Sequence, residues 1–105
     1  MKVLVTGASG FLGGAVAADL VAAGHQVRTL QRRPSGVSGA DDILGSVTDP
    51  DAAAQALDGV DGVIHLAAKV SLAGDPREFE AVNVGGTRTI LDAAERAGVS
   101  RFVFV

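Results

Sequence analysis

Three glycines spaced Gly7-x-x-Gly10-x-x-Gly13 stand where a strand pattern gives way to a helical one. Before them, Lys2–Val5 is a short apolar run that reads as a buried strand. After them, Leu12, Val16 and Leu20 recur every four residues in an alanine-rich stretch, and Gly24 stands where a helix would close. A glycine-rich stretch by itself marks only a tight turn. Between a strand and a helix it has a narrower use. Gly7 permits a sharp exit from the strand, Gly10 lets the backbone approach a diphosphate that a Cβ would strike, and Gly13 lets the helix settle on the strand. An anion there would meet free N–H groups and the positive end of the helix.

The rest of the chain alternates in the same way. Val27–Leu30 reads as a second strand, and 32–40 as a polar loop. Ile43–Leu44 is a short third strand. Asp49-Pro50-Asp51 opens a helix with a cap, a proline at its first position and an acid in its first turn, running to about Leu57. Val60–Ala67 is a fourth strand. Asp75-Pro76-Arg77-Glu78 repeats the helix-start chemistry for a long helix to Ala97 of roughly 33 Å. Its apolar stripe is Phe79, Val82, Gly86, Ile90, Ala93 and Ala97, with Asn83 inside it. Arg101–Val105 is a fifth strand. Right-handed crossovers then predict an α/β, doubly wound parallel sheet in the order 3-2-1-4-5, with the first helix on one face and the later two on the other.

Composition excludes several functions. A net charge of −3 and a single basic doublet, Arg32–Arg33, leave no footprint for nucleic acid. No run reaches the length of a membrane span, and no secretory signal opens the chain, so the expected location is cytoplasmic. With no cysteine, and with His25 and His65 far apart, a metal site is not expected. His65, within an apolar strand, reads as a packed, hydrogen-bonded histidine rather than an acid–base group.

Further motifs carry a resemblance. The glycine spacing, Asp61-Gly62-Val63-Ile64-His65-Leu66-Ala67-Ala68, Asn83-Val84-Gly85-Gly86-Thr87 and Val99-Ser100-Arg101-Phe102-Val103-Phe104-Val105 together resemble the extended short-chain dehydrogenase/reductases, the NAD-dependent epimerase/dehydratase family. The resemblance spans the whole chain and implies the Rossmann form of the fold. It implies a cofactor site built from Gly7, Ser9, Gly10, Phe11, Leu12 and Gly13, from Ser46 and Val47 after the third strand, and from Leu66, Ala67 and Ala68 at the end of the fourth. Asn83 is implied to tie the long helix to the strands. Where the family often has Gly-Asp-x-x-Asp, this chain has Gly45-Ser46-Val47-Thr48-Asp49, so a serine hydroxyl replaces the acid beside the adenine.

An NAD site commonly places an acid at the end of the second strand, to bind the ribose 2′-OH. That position falls near Gln31, and no acid occurs from Gly24 to Ala40. Arg32 and Arg33 follow instead and suit a 2′-phosphate, so NADP is preferred over NAD.

The family's chemistry uses a Ser or Thr after the fifth strand and then a Tyr-x-x-x-Lys. The 105 residues contain no tyrosine, so no catalytic residue is assigned. Residues 1–105 are therefore expected to be the N-terminal, NAD(P)-binding part of a longer protein, without its catalytic and substrate-binding region. The expected function is an oxidoreductase, epimerase or dehydratase acting on a carbinol or carbonyl of a small molecule. A non-catalytic NAD(P) sensor, or a fragment without activity of its own, is the alternative. A homodimer is left open.

Overall fold

The central strand is β1 (Lys2–Thr6), and its burial on both faces sets the architecture. Val3, Leu4 and Val5 are consecutive and all buried, as a parallel strand covered on both sides requires. The computed structural model describes residues 1–66, 77 and 81–105, with Ala81 and Val82 by backbone alone. After β1 come α1 (Phe11–Ala22), β2 (Gln26–Gln31), β3 (Asp41–Leu44), α2 (Pro50–Leu57) and β4 (Gly62–His65). A π-helical turn (Ala81–Gly85), α3 (Gly86–Arg96) and β5 (Arg101–Phe104) follow among the described residues. The strands form one parallel sheet in the expected order 3-2-1-4-5.

Two cores lie on opposite faces. Val3, Val5, Ala8, Ala17 and Val27 pack on the α1 side. Leu4, Leu30, Leu57, Val63 and Ile90 lead a larger cluster beneath α2 and α3. Each fully buried Leu or Ile contributes roughly 1.5–3 kcal/mol of transfer free energy. The side of the helices matches expectation, but two apolar lines differ. On α1 the buried positions are Gly13 and Ala17, while Leu12 stays 56 % exposed at the helix start. On α3 the line is Gly86, Ile90 and Ala94; Ala97 is exposed because the helix has already closed at Arg96. Phe79, the side chain of Val82 and the helix start at 75–78, apart from Arg77, lie outside the described residues.

Local chemistry explains the helix ends. Asp49 caps α2, its Oδ1 accepting from the Asp51 N–H at 3.0 Å, with Pro50 following as expected. At the end of α1, Gly24 donates to the Val21 carbonyl and His25 to that of Leu20, a Schellman closure. Gly98 and Val99 close α3 in the same pattern on Glu95 and Ala94. The β3 edge carries Asp41 and Asp42, charges that discourage pairing with another strand. No helix among the described residues is long and apolar enough to cross a membrane.

Arg28 pins α2 to the sheet. Its Nη1 donates to the carbonyls of Gln55, Ala56 and Asp58 at 3.2, 3.0 and 2.8 Å, the electronegative end of the helix. Arg28→Met keeps the apolar stem and removes those donors. It is expected to lower unfolding free energy by about 2 kcal/mol in urea titration.

Candidate functional site

The glycine turn lies at the C-terminal end of β1, beside the end of β2. Gly7 leaves β1 with φ +76°, a conformation that side chains rarely adopt. Its N–H donates to the Leu30 carbonyl at 3.2 Å, which fixes the turn beside the end of β2. The Gly10 N–H then bonds back to the Gly7 carbonyl at 3.1 Å. A Cβ on Gly13 would fall on that same Gly7 carbonyl, so α1 can start this close to β1 only with glycine there. Gly10 differs: among the described residues its Cβ would meet nothing nearer than the Gly7 oxygen at 3.4 Å. The fold itself therefore does not require glycine at position 10.

The start of α1 is left open. Gly10 is its N-cap and brings no side chain, and no acid stands in the first turn. Among the described residues, the N–H groups of Phe11, Leu12 and Gly13 thus lack the capping that Asp49 gives α2. Ser9 and Gly10 are exposed, and Phe11 is 98 % exposed. An unneutralised helix dipole with free amides at a sheet edge is suited to an anion.

Beside this turn, β2 ends in a hydrogen-bonded clasp. Thr29 donates to Asp42 Oδ1 at 2.6 Å, and Gln31 Nε2 donates to the Thr29 hydroxyl at 3.0 Å. Ser35 donates twice to Asp42, from its backbone N at 2.9 Å and from its hydroxyl at 2.7 Å. Burial alone would raise the Asp42 carboxyl, but the Thr29 hydroxyl and both Ser35 donors outweigh it and hold it below the usual range. Gln31 is buried, and its Oε1 has no hydrogen-bond partner among the described residues. Arg32 and Arg33 are exposed directly after it.

Ser46 and Val47 follow Gly45, whose N–H donates to the Gln31 carbonyl at 3.0 Å. The Ser46 hydroxyl is engaged locally, bonded to the Thr48 hydroxyl at 2.7 Å and accepting from the Thr48 N–H at 3.1 Å. Val47 is buried in the core against Gly86, whose Cβ would lie 2.6 Å from the Val47 Cγ2. The glycine at 86 is thus explained by a close approach to the turn after β3, not to the sheet. A Cβ at Gly85 would meet none of the described residues within 4 Å. Leu66 follows β4 and donates its N–H to Thr6 Oγ1 at 3.0 Å. Ala67 and Ala68 lie outside the described residues.

A hydrogen-bond relay joins these strands to the long helix. His65 Nδ1 lies 2.7 Å from Thr6 Oγ1, and Nε2 lies 3.1 Å from Thr87 Oγ1. Thr87 gives its only proton to the Asn83 carbonyl at 2.7 Å, so it must accept from His65. The ring is therefore the Nε2–H tautomer, with Thr6 donating to Nδ1. Burial pushes the His65 pKa down, in keeping with a neutral ring. His65 is thus the packed, hydrogen-bonded histidine expected. The relay meets Asn83 through its main-chain carbonyl, inside the π-helical turn. Sequence reading missed Thr6, Thr87 and this turn. The available signal was two threonines, Thr87 and Thr89, each bonded to the carbonyl four residues earlier, a habit that bends helices.

Comparison with known proteins agrees with this fold. Residues 3–105 match the model of the NAD dependent epimerase/dehydratase family. The chain is 42 % identical over 114 residues to a 3 beta-hydroxysteroid dehydrogenase/Delta 5-->4-isomerase of Mycobacterium tuberculosis, covering 98 % of this chain and 30 % of that protein. Among solved structures, a short-chain dehydrogenase/reductase superfamily protein from Agrobacterium tumefaciens with bound NAD has a TM-score of 0.92 at 48 % identity, covering 99 % of this chain and 32 % of that one. WbmG of Bordetella bronchiseptica, in complex with NAD and UDP, has a TM-score of 0.88 at 31 % identity, covering 99 % and 36 %. The chain thus spans about a third of the length of these relatives.

The neutral relay has a pH signature. Because the folded ring resists protonation, its contribution to stability is present above the ordinary histidine value and is lost as pH falls toward the lowered folded one. Urea midpoints should fall between about pH 7.5 and 5, and the fall should be smaller in His65→Asn. Thr87→Val, which removes the acceptor of the Nε2–H, should cost about 1–3 kcal/mol at neutral pH in the same titration.

Proposed function

This chain belongs to the NAD dependent epimerase/dehydratase family, and from that premise we propose that residues 7–13 hold the diphosphate of a nicotinamide dinucleotide. The observation that carries the reading is the start of α1, which is uncapped, glycine-lined and set at the C-terminal edge of β1. In the proposed site, Gly7, Ser9, Gly10, Phe11, Leu12 and Gly13 supply the backbone cradle. Leu66, Ala67 and Ala68 flank the cofactor where strand order reverses, at β1 and β4. Ser46 and Val47 border the adenine, Val47 through its backbone since its side chain is in the core. Asn83 acts as a positioning residue. The dinucleotide supplies hydride transfer when bound.

The preferred cofactor is NADP. No acid stands at the end of β2, where Gln31 offers a neutral acceptor, and the exposed Arg32 and Arg33 can pair a 2′-phosphate. The solved relatives described above hold NAD, which makes NAD the competing choice at this position. The parent activity is proposed to be oxidation or reduction at a carbinol or carbonyl of a small molecule, in line with the dehydrogenase among the relatives.

Calorimetric titration with NADPH and NADH tests both levels. NADPH should bind more tightly than NADH. Gly10→Val should abolish binding of either while the far-UV circular dichroism stays that of the wild type, because among the described residues a Cβ there comes no nearer than 3.4 Å to the chain. Gly13→Ala should instead lower stability itself, by about 2–4 kcal/mol. Wild-type affinity in Gly10→Val would remove the diphosphate from this loop.

A further inference from the structure

Arg32 and Arg33 sit on an arch pinned at both feet. On one side Gln31 is the last residue of β2, paired with Leu44, and its carbonyl accepts from the Gly45 N–H at 3.0 Å. On the other side Ser35 is bonded to Asp42 through two donors. Asp42 pairs with Thr29, two residues upstream of Gln31, so the chain has doubled back on itself. Only Arg32, Arg33 and Pro34 bridge the two feet, and Pro34 has a fixed φ. The Ser35 hydroxyl also accepts from the Val37 N–H at 3.1 Å, which continues the fold of the loop away from the edge.

We propose that Asp42 is a positioning residue for cofactor selectivity: by clasping Ser35, it holds the Arg32–Pro34 arch so that the two guanidinium groups meet a 2′-phosphate. The proposal rests on the dinucleotide reading above and adds a residue to it that touches no ligand. Three features of the clasp support it. Asp42 accepts three hydrogen bonds, which orient both carboxylate oxygens. The Gln31–Thr29–Asp42 chain of donors anchors the carboxylate to the buried end of β2. The Gly7 N–H on the Leu30 carbonyl places the arch beside the glycine turn. Holding two long cationic side chains on a short, fixed backbone lowers the ordering cost that binding would otherwise carry.

Ser35→Ala deletes the hydroxyl donor without changing any charge. Titration of the purified protein should show NADPH affinity lowered about fivefold and NADH affinity unchanged within about twofold. Ser35→Thr, which keeps the hydroxyl, should restore the wild-type ratio. In an Arg32→Gln, Arg33→Gln background, Ser35→Ala should have no further effect on NADPH, since the residues it positions are gone. Asp42→Asn separates positioning from simple charge. Loss of the clasp lowers NADPH affinity, whereas relief of repulsion between carboxylate and phosphate would raise it, and a rise overturns the proposal. An unchanged NADPH-to-NADH ratio in Ser35→Ala also overturns it while leaving the dinucleotide site standing. A wild-type protein that binds neither cofactor removes that reading and this one together.

Discussion

The approach of Gly13 to the Gly7 carbonyl is the constraint from which this edge of the molecule follows. It sets α1 directly against the end of β1, with no room for a side chain between them. The helix therefore begins at the sheet edge rather than beyond it, and no side chain caps its first amides. Gly7 at φ +76° makes the turn, and its bond to Leu30 locks that turn to β2. One contact thus decides where the helix dipole ends and which strands surround it.

The two helix starts on either side of the sheet make the point by contrast. In α2 the chain supplies Asp49, Pro50 and Asp51, and the dipole is answered from within. In α1 it supplies Gly10, Phe11 and Leu12, which answer nothing, and it leaves two large apolar side chains in the open. An uncapped start is a cost to folding. Kept beside a close-packed glycine turn, that cost is coherent with a ligand that completes the cap.

Sheet order, helix sides and the Asp49 cap were legible because they depend on local patterns: runs of apolar residues, cap chemistry and right-handed crossovers. Exposure was less legible. Leu12 fits the apolar period of α1 but faces outward, since the close approach at Gly13 turns a different line, Gly13 and Ala17, toward the core. Ala97 fits the stripe of α3 but lies past its last turn. The π-helical turn at 81–85 breaks a helical period that a sequence cannot reveal, because the extra residue changes no composition. The clasp at Asp42 was hidden for another reason: its partners, Thr29 and Ser35, are brought together by parallel pairing and a chain reversal. The local bonds of the Ser46 hydroxyl to Thr48 are likewise set by the turn and carry no periodic signal.

Directional hydrogen bonds take over where apolar packing gives out at the ends of the strands. A hydroxyl both accepts and donates, so a relay of hydroxyls needs a pure acceptor at its end to fix every proton along it. The Thr6–His65–Thr87 relay ends on the Asn83 carbonyl, which sets the imidazole tautomer. The Gln31–Thr29 relay ends on the Asp42 carboxylate, which sets the orientation of the Gln31 amide and leaves its Oε1 without a partner among the described residues. The first relay spans β1, β4 and the start of the long helix; the second spans β2, β3 and the loop after β2. Between them lies the glycine turn. Rigidity at this edge therefore comes from two terminated proton chains, and the terminating groups, a main-chain carbonyl and a triply bonded carboxylate, are the ones least free to rearrange.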